Sequence, residues 1–290
     1  MIDYPQLLIL GAIAGFTIFL GLPLAVLQNV SSRKKGFLNA IAIGILVFLI
    51  IDVFSHAWDT ASGAAADAYV GKVPVGGAVL DLFAVFGGTA IGLLGLALYE
   101  AKYMANVTTV VAQRPQTVES SLERGSQTLL QTQLLEDVSA YRLAMMIAIG
   151  IGAHNFSEGL AIGQSYASGS IGLALILIIG FGAHNATEGF GIASPLTYLV
   201  KRPSARFLAT AGLVGGGPTF LGTLTGSLVG VSDFTYILFL SIAGGALIYV
   251  SMLMYNSGRR QTTNRVLMIG IFVGLCAGFI TDLIVTLGGA

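Results

Sequence analysis

The chain has 290 residues, of which 55% are hydrophobic and only 10% are charged, and its formal net charge is zero. Because soluble domains usually carry about 25% charged residues, the composition excludes an ordinary soluble protein. It predicts an all-α polytopic membrane protein whose single transmembrane domain spans residues 1–290. The zero net charge gives no reason to expect nucleic acid as a partner, and a lone cysteine, Cys276, excludes an intrachain disulfide.

Eight apolar stretches are each long enough to cross a bilayer, which takes about 20 residues in a helix. They predict eight transmembrane helices at 7–29, 37–58, 79–103, 142–165, 171–199, 206–230, 234–255 and 265–287. No basic region precedes the first stretch, so we expect an uncleaved span there and not a signal peptide. Pro195 is expected to bend span five, and the sequence Gly215-Gly216-Gly217-Pro218 is expected to break or bend span six.

The basic residues are distributed unevenly over the connections between these spans. The predicted spans place 13 of the 14 Lys and Arg residues on the same side of the membrane, and Lys72 on the opposite side. By the positive-inside rule the basic side is cytoplasmic, which predicts both termini outside in a multi-pass protein of the cell (plasma or inner) membrane. The connection 104–140 is predicted to be a solvated cytoplasmic linker, with a surface helix over 120–138 as the alternative. Glu100, just before it, is predicted to be a solvated interfacial charge.

Two segments of the chain repeat each other, one in span four and one in span five. GIGAHNFSEGLAIG (150–163) and GFGAHNATEGFGIA (180–193) both place His, Asn and Glu at positions i, i+1 and i+4. A tight connection at 167–170 makes spans four and five an antiparallel hairpin, with each histidine about fifteen residues, or roughly 22 Å, from the turn. Positions i and i+4 share a helix face. We therefore expect His154, Glu158, His184 and Glu188 to converge near the middle of the membrane.

This combination of side chains suits a divalent transition metal. Two neutral imidazoles and two carboxylates carry a charge of −2, and nitrogen and carboxylate ligands suit Zn²⁺ as well as Fe²⁺ or Mn²⁺. The alternative is a set of His–Glu hydrogen bonds that only holds the helices together. Asn155 and Asn185 lie about 100° around each helix from the His–Glu face, where they either offer oxygens to a second cation or tie helices together. Asp52 and His56, on one face of span two, form either a capture point for cations or a structural pair.

The eight spans, the outward termini, the long third connection and the two HNxxEG motifs resemble the Zrt/Irt-like (ZIP) family of divalent metal transporters, in its bacterial and archaeal form. The resemblance implies metal uptake towards the cytoplasm by a homodimer, through a two-metal site between spans four, five and six, with helix bundles that rock or slide. It implies a primary site at His154, Glu158, His184 and Glu188. Asn155 then matches a second-site ligand, and Glu188 bridges both metals.

The chain departs from the family pattern at several positions. Ser157 and Thr187 stand where members often have proline, and Asn185 and Thr219 stand where second-site carboxylates are common. Two adjacent divalent ions repel strongly, and two glutamates do not offset their charge of +4. We therefore predict one tightly bound metal per protomer, with any second site weak or filled by a less charged ion.

Two other functions use the same residues. An intramembrane metalloenzyme of the HExxH type has a glutamate beside the first histidine as its base, whereas both motifs here have asparagine there. A proton-coupled carrier of organic solutes would use the His–Glu pairs as proton relays. The prediction is a transporter and not an enzyme, with no cofactor. Its substrate is a divalent metal, Zn²⁺ first and Fe²⁺, Mn²⁺ or Cd²⁺ as alternatives, and its partners are the lipid membrane and a second copy of the chain.

Overall fold

The fold is a bundle of long helices. A computed structural model describes residues 3–26, 31–112, 121–199, 201–230 and 232–287, and within these ranges the chain forms no β-strand, which confirms the predicted all-α class. The helices are α1 (Tyr4–Phe16), α2 (Ser32–Tyr69), α3 (Val75–Ala112), α4 (Ser121–Ala167), α5 (Ile171–Ala193), α6 (Ala205–Leu228), α7 (Asp233–Gln261) and α8 (Asn264–Leu287).

Seven helical segments of the described chain are long and apolar enough to cross a membrane. They correspond to predicted spans one to three and five to eight, which confirms a multi-pass membrane protein. The remaining predicted span lies in α4, whose apolar stretch is interrupted by Arg142 and by the polar residues of the first HNxxEG motif. Because α4 packs along α6 and between α5 and α7, it belongs to the same bundle despite its lower apolar content.

The first span is not a continuous α-helix. Asp3 and Gln6 cap the start of α1 reciprocally: the Gln6 backbone N–H donates to the Asp3 side chain at 2.8 Å, and the Asp3 backbone N–H donates to the Gln6 side chain at 3.1 Å. This is the capping-box arrangement that satisfies backbone donors at a helix start. After α1 the chain continues as two 3₁₀ helices, Thr17–Leu20 and Leu22–Val26. Predicted residues 27–29 of this span lie outside the described ranges.

Most of the connection 104–140, predicted to be a solvated linker, is helical. Helix α3 continues to Ala112 and α4 begins at Ser121, while 113–120 are not among the described residues. The second half of the connection is rich in Leu, Gln and Glu, which are good helix formers. It is helical from Ser121, in agreement with the alternative prediction of a helix over 120–138. The cytoplasmic position of this segment stays a prediction.

Close glycine contacts join α1, α4, α5 and α6 into a first helix group. A Cβ atom added at Gly222 of α6 would lie 2.1 Å from the carbonyl oxygen of Phe156 in α4, and one added at Gly15 of α1 would lie 2.2 Å from that of Gly216 in α6. Small residues allow membrane helices to approach to this distance. In these places the backbones of neighbouring helices touch directly.

Helices α2, α3, α7 and α8 form a second helix group in the same way. A Cβ added at Gly274 of α8 would lie 2.0 Å from the carbonyl oxygen of Ile41 in α2. One added at Gly245 of α7 would lie 2.3 Å from the carbonyl oxygen of Thr89 in α3. The α-helices of the described chain therefore fall into two groups of four, each closely packed through its glycines.

Helix α6 runs through Gly215-Gly216-Gly217-Pro218 without interruption, so of the predicted break or bend in span six the break does not occur. Pro218 has no N–H to donate to the Val214 carbonyl, and that carbonyl faces Gly152 of α4, where an added Cβ would lie 2.3 Å away. The next carbonyl, that of Gly215, accepts a hydrogen bond from the Asn155 side chain at 3.0 Å. The Asn155 amide therefore ties α4 to α6 one residue along from the carbonyl that the proline leaves without its helical donor.

Candidate metal centre

The two repeated motifs lie on α4 and α5, which form the predicted antiparallel hairpin. The turn contains Gly169 with φ of +80°, a left-handed conformation that glycine adopts without the steric cost of a side chain. Since each motif lies about four turns from this connection, the motifs come to the same depth between the helices.

Three of the four residues predicted to bind metal converge. A ring nitrogen of His154, a ring nitrogen of His184 and a carboxylate oxygen of Glu188 all lie within 4.8 Å of one another. The two imidazole rings are 6.0 Å apart between centroids and tilted by 54°. Glu158 lies beside this set rather than in it, with its Oε1 3.4 Å from His154 Nε2.

The cluster is sealed from solvent, and many of its polar atoms lack partners. His154, Glu158, His184 and Glu188 are exposed by 3%, 5%, 7% and 0%. Nδ1 of His154, Nε2 of His184 and one carboxylate oxygen of each glutamate find no hydrogen-bond partner among the described residues, and His154 Nε2 has a long contact of 3.4 Å to Glu158 Oε1. Leaving buried polar atoms unpaired costs free energy. A purely structural His–Glu hydrogen-bond network would pair these atoms, so their arrangement fits cation binding better.

The two asparagines both tie helices together, in different ways. Asn155 Nδ2 donates to Glu188 Oε2 at 3.0 Å and to the Gly215 carbonyl, which links α4 to α5 and α6. Asn185 Nδ2 donates to the carbonyl of Ala14 in α1 at 3.0 Å. The side-chain oxygens of both asparagines are buried without a partner among the described residues. The amides therefore hold helices while the oxygens stay available as ligands.

Two further buried residues lie on helices that pack against α4 or α5. The Thr219 side chain of α6 is fully buried, and its hydroxyl has no hydrogen-bond partner within the described part of the chain. Phe48 of α2, 2% exposed, packs its ring 5.8 Å from that of His184. The sequence gives no signal for this contact, because a phenylalanine in an apolar span is indistinguishable from any other core residue.

Asp52 and His56 form the predicted pair on α2, at the margin of the site. His56 Nδ1 lies 3.4 Å from an Asp52 carboxylate oxygen. The His56 side chain is 59% exposed and the Asp52 side chain is 21% exposed. His56 Nδ1 also lies 2.9 Å from the Asp52 carbonyl oxygen. The structural pair therefore exists, and capture of cations by it stays a prediction.

A family model described as ZIP Zinc transporter matches residues 6–286, nearly the whole chain. Among curated proteins, no sequence matches this chain.

Proposed function

The chain belongs to the ZIP zinc transporter family, and from this premise we propose that it moves Zn²⁺ towards the cytoplasm through a centre formed by His154, Glu158, His184 and Glu188. Family membership makes the protein a divalent metal transporter and not an enzyme. The metal is its transported substrate and not a cofactor.

The observation that carries this proposal is the convergence of His154, His184 and Glu188. Their ligand atoms lie within 4.8 Å of one another in a site exposed by no more than 7%. Ionisable residues inside a membrane span are costly and mark functional sites by default. Imidazole nitrogen and carboxylate oxygen are common ligands of Zn²⁺, and the centre contains no cysteine that would favour a softer metal.

Glu158 supplies the second negative charge of the centre. Its carboxylate contacts His154 at 3.4 Å, one helical turn along α4, so a rotation about its side-chain bonds would bring it to a metal held by the other three residues. Two carboxylates then balance one divalent ion. Asn155 orients the other carboxylate, because its amide donates to Glu188 Oε2.

The charge distribution supports the direction of transport, and family membership supports the assembly. The basic residues lie almost entirely on one side of the predicted spans, which supports a cytoplasmic position for that side. A homodimer in the cell membrane, with both termini outside, is supported by the family resemblance. Asn155 and Asn185 would offer oxygens to a second ion of lower charge.

Radiometal uptake into liposomes that contain the purified protein tests the proposal. We expect Zn²⁺ to be taken up in preference to Fe²⁺, Mn²⁺ and Cd²⁺, and Glu188→Ala to abolish uptake because it removes a charge from the centre. The matched control is Asp59→Asn, which removes an exposed carboxylate of α2 and should transport normally. Normal uptake by well-folded Glu188→Ala protein would refute the proposed site.

A further inference from the structure

Three polar side chains meet between α3, α4 and α7, away from the metal centre. Arg142 Nη2 donates a hydrogen bond to Glu100 Oε1, and the Tyr249 hydroxyl donates to Glu100 Oε2. The Arg142 and Glu100 side chains are only 9% and 16% exposed. The prediction that Glu100 is a solvated interfacial charge is therefore wrong, because its carboxylate is shared between two partners inside the bundle.

This cluster connects the two helix groups. Arg142 lies on α4 of the first group, whereas Glu100 and Tyr249 lie on α3 and α7 of the second. At Gly150, where α4 meets α7, an added Cβ would lie at an ordinary van der Waals distance, 3.6 Å from the nearest side-chain atoms of Ala246 and Leu247. At this distance two helices touch through side chains and their backbones do not interlock.

The metal centre gives a reason for the two groups to separate. His154, His184 and Glu188 all belong to the first group, and Phe48 of the second group covers the His184 ring. A metal ion that enters and leaves this sealed centre requires the covering helices to move. Any bond between the groups is then a candidate control over that movement.

The guanidinium of Arg142 is incompletely paired in the arrangement seen. Its Nε and Nη1 are buried and have no hydrogen-bond partner among the described residues, although a guanidinium offers five N–H donors. Within the described part of the chain, Glu100 is the carboxylate that pairs with its charge. Loss of the Glu100 charge would leave a buried, uncompensated cation, which is strongly unfavourable and favours any arrangement in which Arg142 reaches water.

We propose that Arg142, Glu100 and Tyr249 form a polar latch that holds the two helix groups together at this end of the bundle and opens during the transport cycle. The three are positioning residues, since none of them touches the metal centre. This proposal depends on the protein being a transporter, as proposed above, and not on which residues bind the metal.

The test measures how fast a buried cysteine at the α4–α7 contact is modified. Ala246 is 5% exposed, and Ala246→Cys is placed in a full-length chain with Cys276→Ala, in liposomes without metal. A small charged thiosulfonate reagent should react slowly with this parent protein. Glu100→Gln should speed the reaction at least about fivefold, within the range of coupling between contacting groups. Tyr249→Phe should act in the same direction with a smaller effect.

A double variant separates a latch from independent effects. Because Glu100 and Arg142 act as one unit, Glu100→Gln with Arg142→Gln should react no faster than the faster single variant. The matched control is Lys102→Gln, which removes an exposed charge two residues along α3 and should leave the rate unchanged. Zn²⁺ titration of Glu100→Gln should give the parent affinity, so a failure of the metal site and a failure of the latch remain distinguishable.

Equal modification rates in the parent, Glu100→Gln and Tyr249→Phe would overturn the latch. A double variant whose rate increase equals the product of the increases in Glu100→Gln and Arg142→Gln would also overturn it, because the two residues would then act independently. If Glu100→Gln does not fold, Tyr249→Phe decides, because it removes one hydroxyl and leaves the Arg142–Glu100 pair in place.

Discussion

At the scale of single residues, the two asparagines beside the histidines have different relations to the metal centre. Asn155 donates to the Glu188 carboxylate, whereas Asn185 donates to the Ala14 backbone and to no proposed ligand. Both are fully buried, and both lose a hydrogen bond to a backbone carbonyl when replaced by alanine. Replacing Asn155 and Asn185 in turn therefore distinguishes the orientation of a metal ligand from a purely structural link between helices.

Asn155→Ala should weaken metal binding by roughly 10- to 100-fold, the usual effect of removing a residue that orients a metal ligand. Asn185→Ala is the control, and it should lower stability without a comparable loss of affinity. Competition with a zinc chelator of known affinity measures both. Equal losses of affinity in the two variants would show that Asn155 does not act through Glu188.

Glu158 is the residue whose position differs most from the expected set. Glu158→Gln keeps the size of the side chain and removes one of the two negative charges, so Zn²⁺ affinity should fall at least about tenfold, as expected for loss of a charged partner in a low-dielectric site. Ser157→Ala, at the buried neighbouring position, is the control and should bind as the parent does. Unchanged affinity in Glu158→Gln would remove Glu158 from the ligand set.

The sequence predicted which residues approach one another but not all of their contacts. The i, i+4 spacing and the short turn placed His154 and His184 at one depth, because helix geometry alone determines that depth. Glu158 stands outside the converged set because its position depends on side-chain torsions. The ring contact of Phe48 depends on how α2 packs against α5, which helical spacing within one segment does not specify.

At the scale of helices, adjacent glycines of α6 have opposite surroundings. A Cβ added at Gly216 would lie 2.2 Å from the carbonyl oxygen of Gly15 in α1, whereas one added at Gly217 would meet nothing within 4 Å. Substitution of glycine by alanine therefore tests close helix packing at Gly216, and the same substitution at Gly217 is its control.

Gly216→Ala should push α1 away from α6 and lower the melting temperature of the detergent-solubilised protein by several degrees, because close helix contacts of this kind do not accommodate a methyl group. Gly217→Ala should leave it unchanged or raise it slightly, since alanine favours the helix. Thermal unfolding followed by size-exclusion chromatography measures both. A Gly216→Ala protein as stable as Gly217→Ala would contradict the packing of the first helix group.

Hydropathy predicted the apolar cores of the helices better than their ends. Helix α2 extends to Tyr69, beyond predicted residue 58, because its last residues are rich in alanine and continue the helix outside the apolar stretch. Pro218 was expected to break or bend α6, but the helix continues through it from Ala205 to Leu228. Its neighbour Gly215 is held by Asn155 of α4, a contact between helices that the local sequence does not specify.

At the scale of the whole molecule, the orientation in the membrane follows from charge. Tyr69 follows span two on the predicted outer side and is 93% exposed, and Lys201, on the predicted cytoplasmic side, is also exposed. In a Cys276→Ala background, Tyr69→Cys should react with an impermeant reagent added outside intact cells, and Lys201→Cys should react only after permeabilisation. Reaction of both from outside would refute the predicted topology.

Stoichiometry depends on the charge of the entire centre. In the proposed centre Glu158 and Glu188 would offset one divalent ion, whereas Asn185 and Thr219 would offer neutral oxygens that do not compensate the repulsion between two such ions. The central claim is therefore a single tight divalent metal per chain, held between α4 and α5.

Zn²⁺ titration of the purified protein, with bound metal counted per chain, tests this claim most directly. The parent should bind one ion tightly, and His184→Ala should lose that binding while remaining folded, because it removes one of the three converged ligands. Two comparably tight ions per chain, or undiminished tight binding in His184→Ala, would contradict the account.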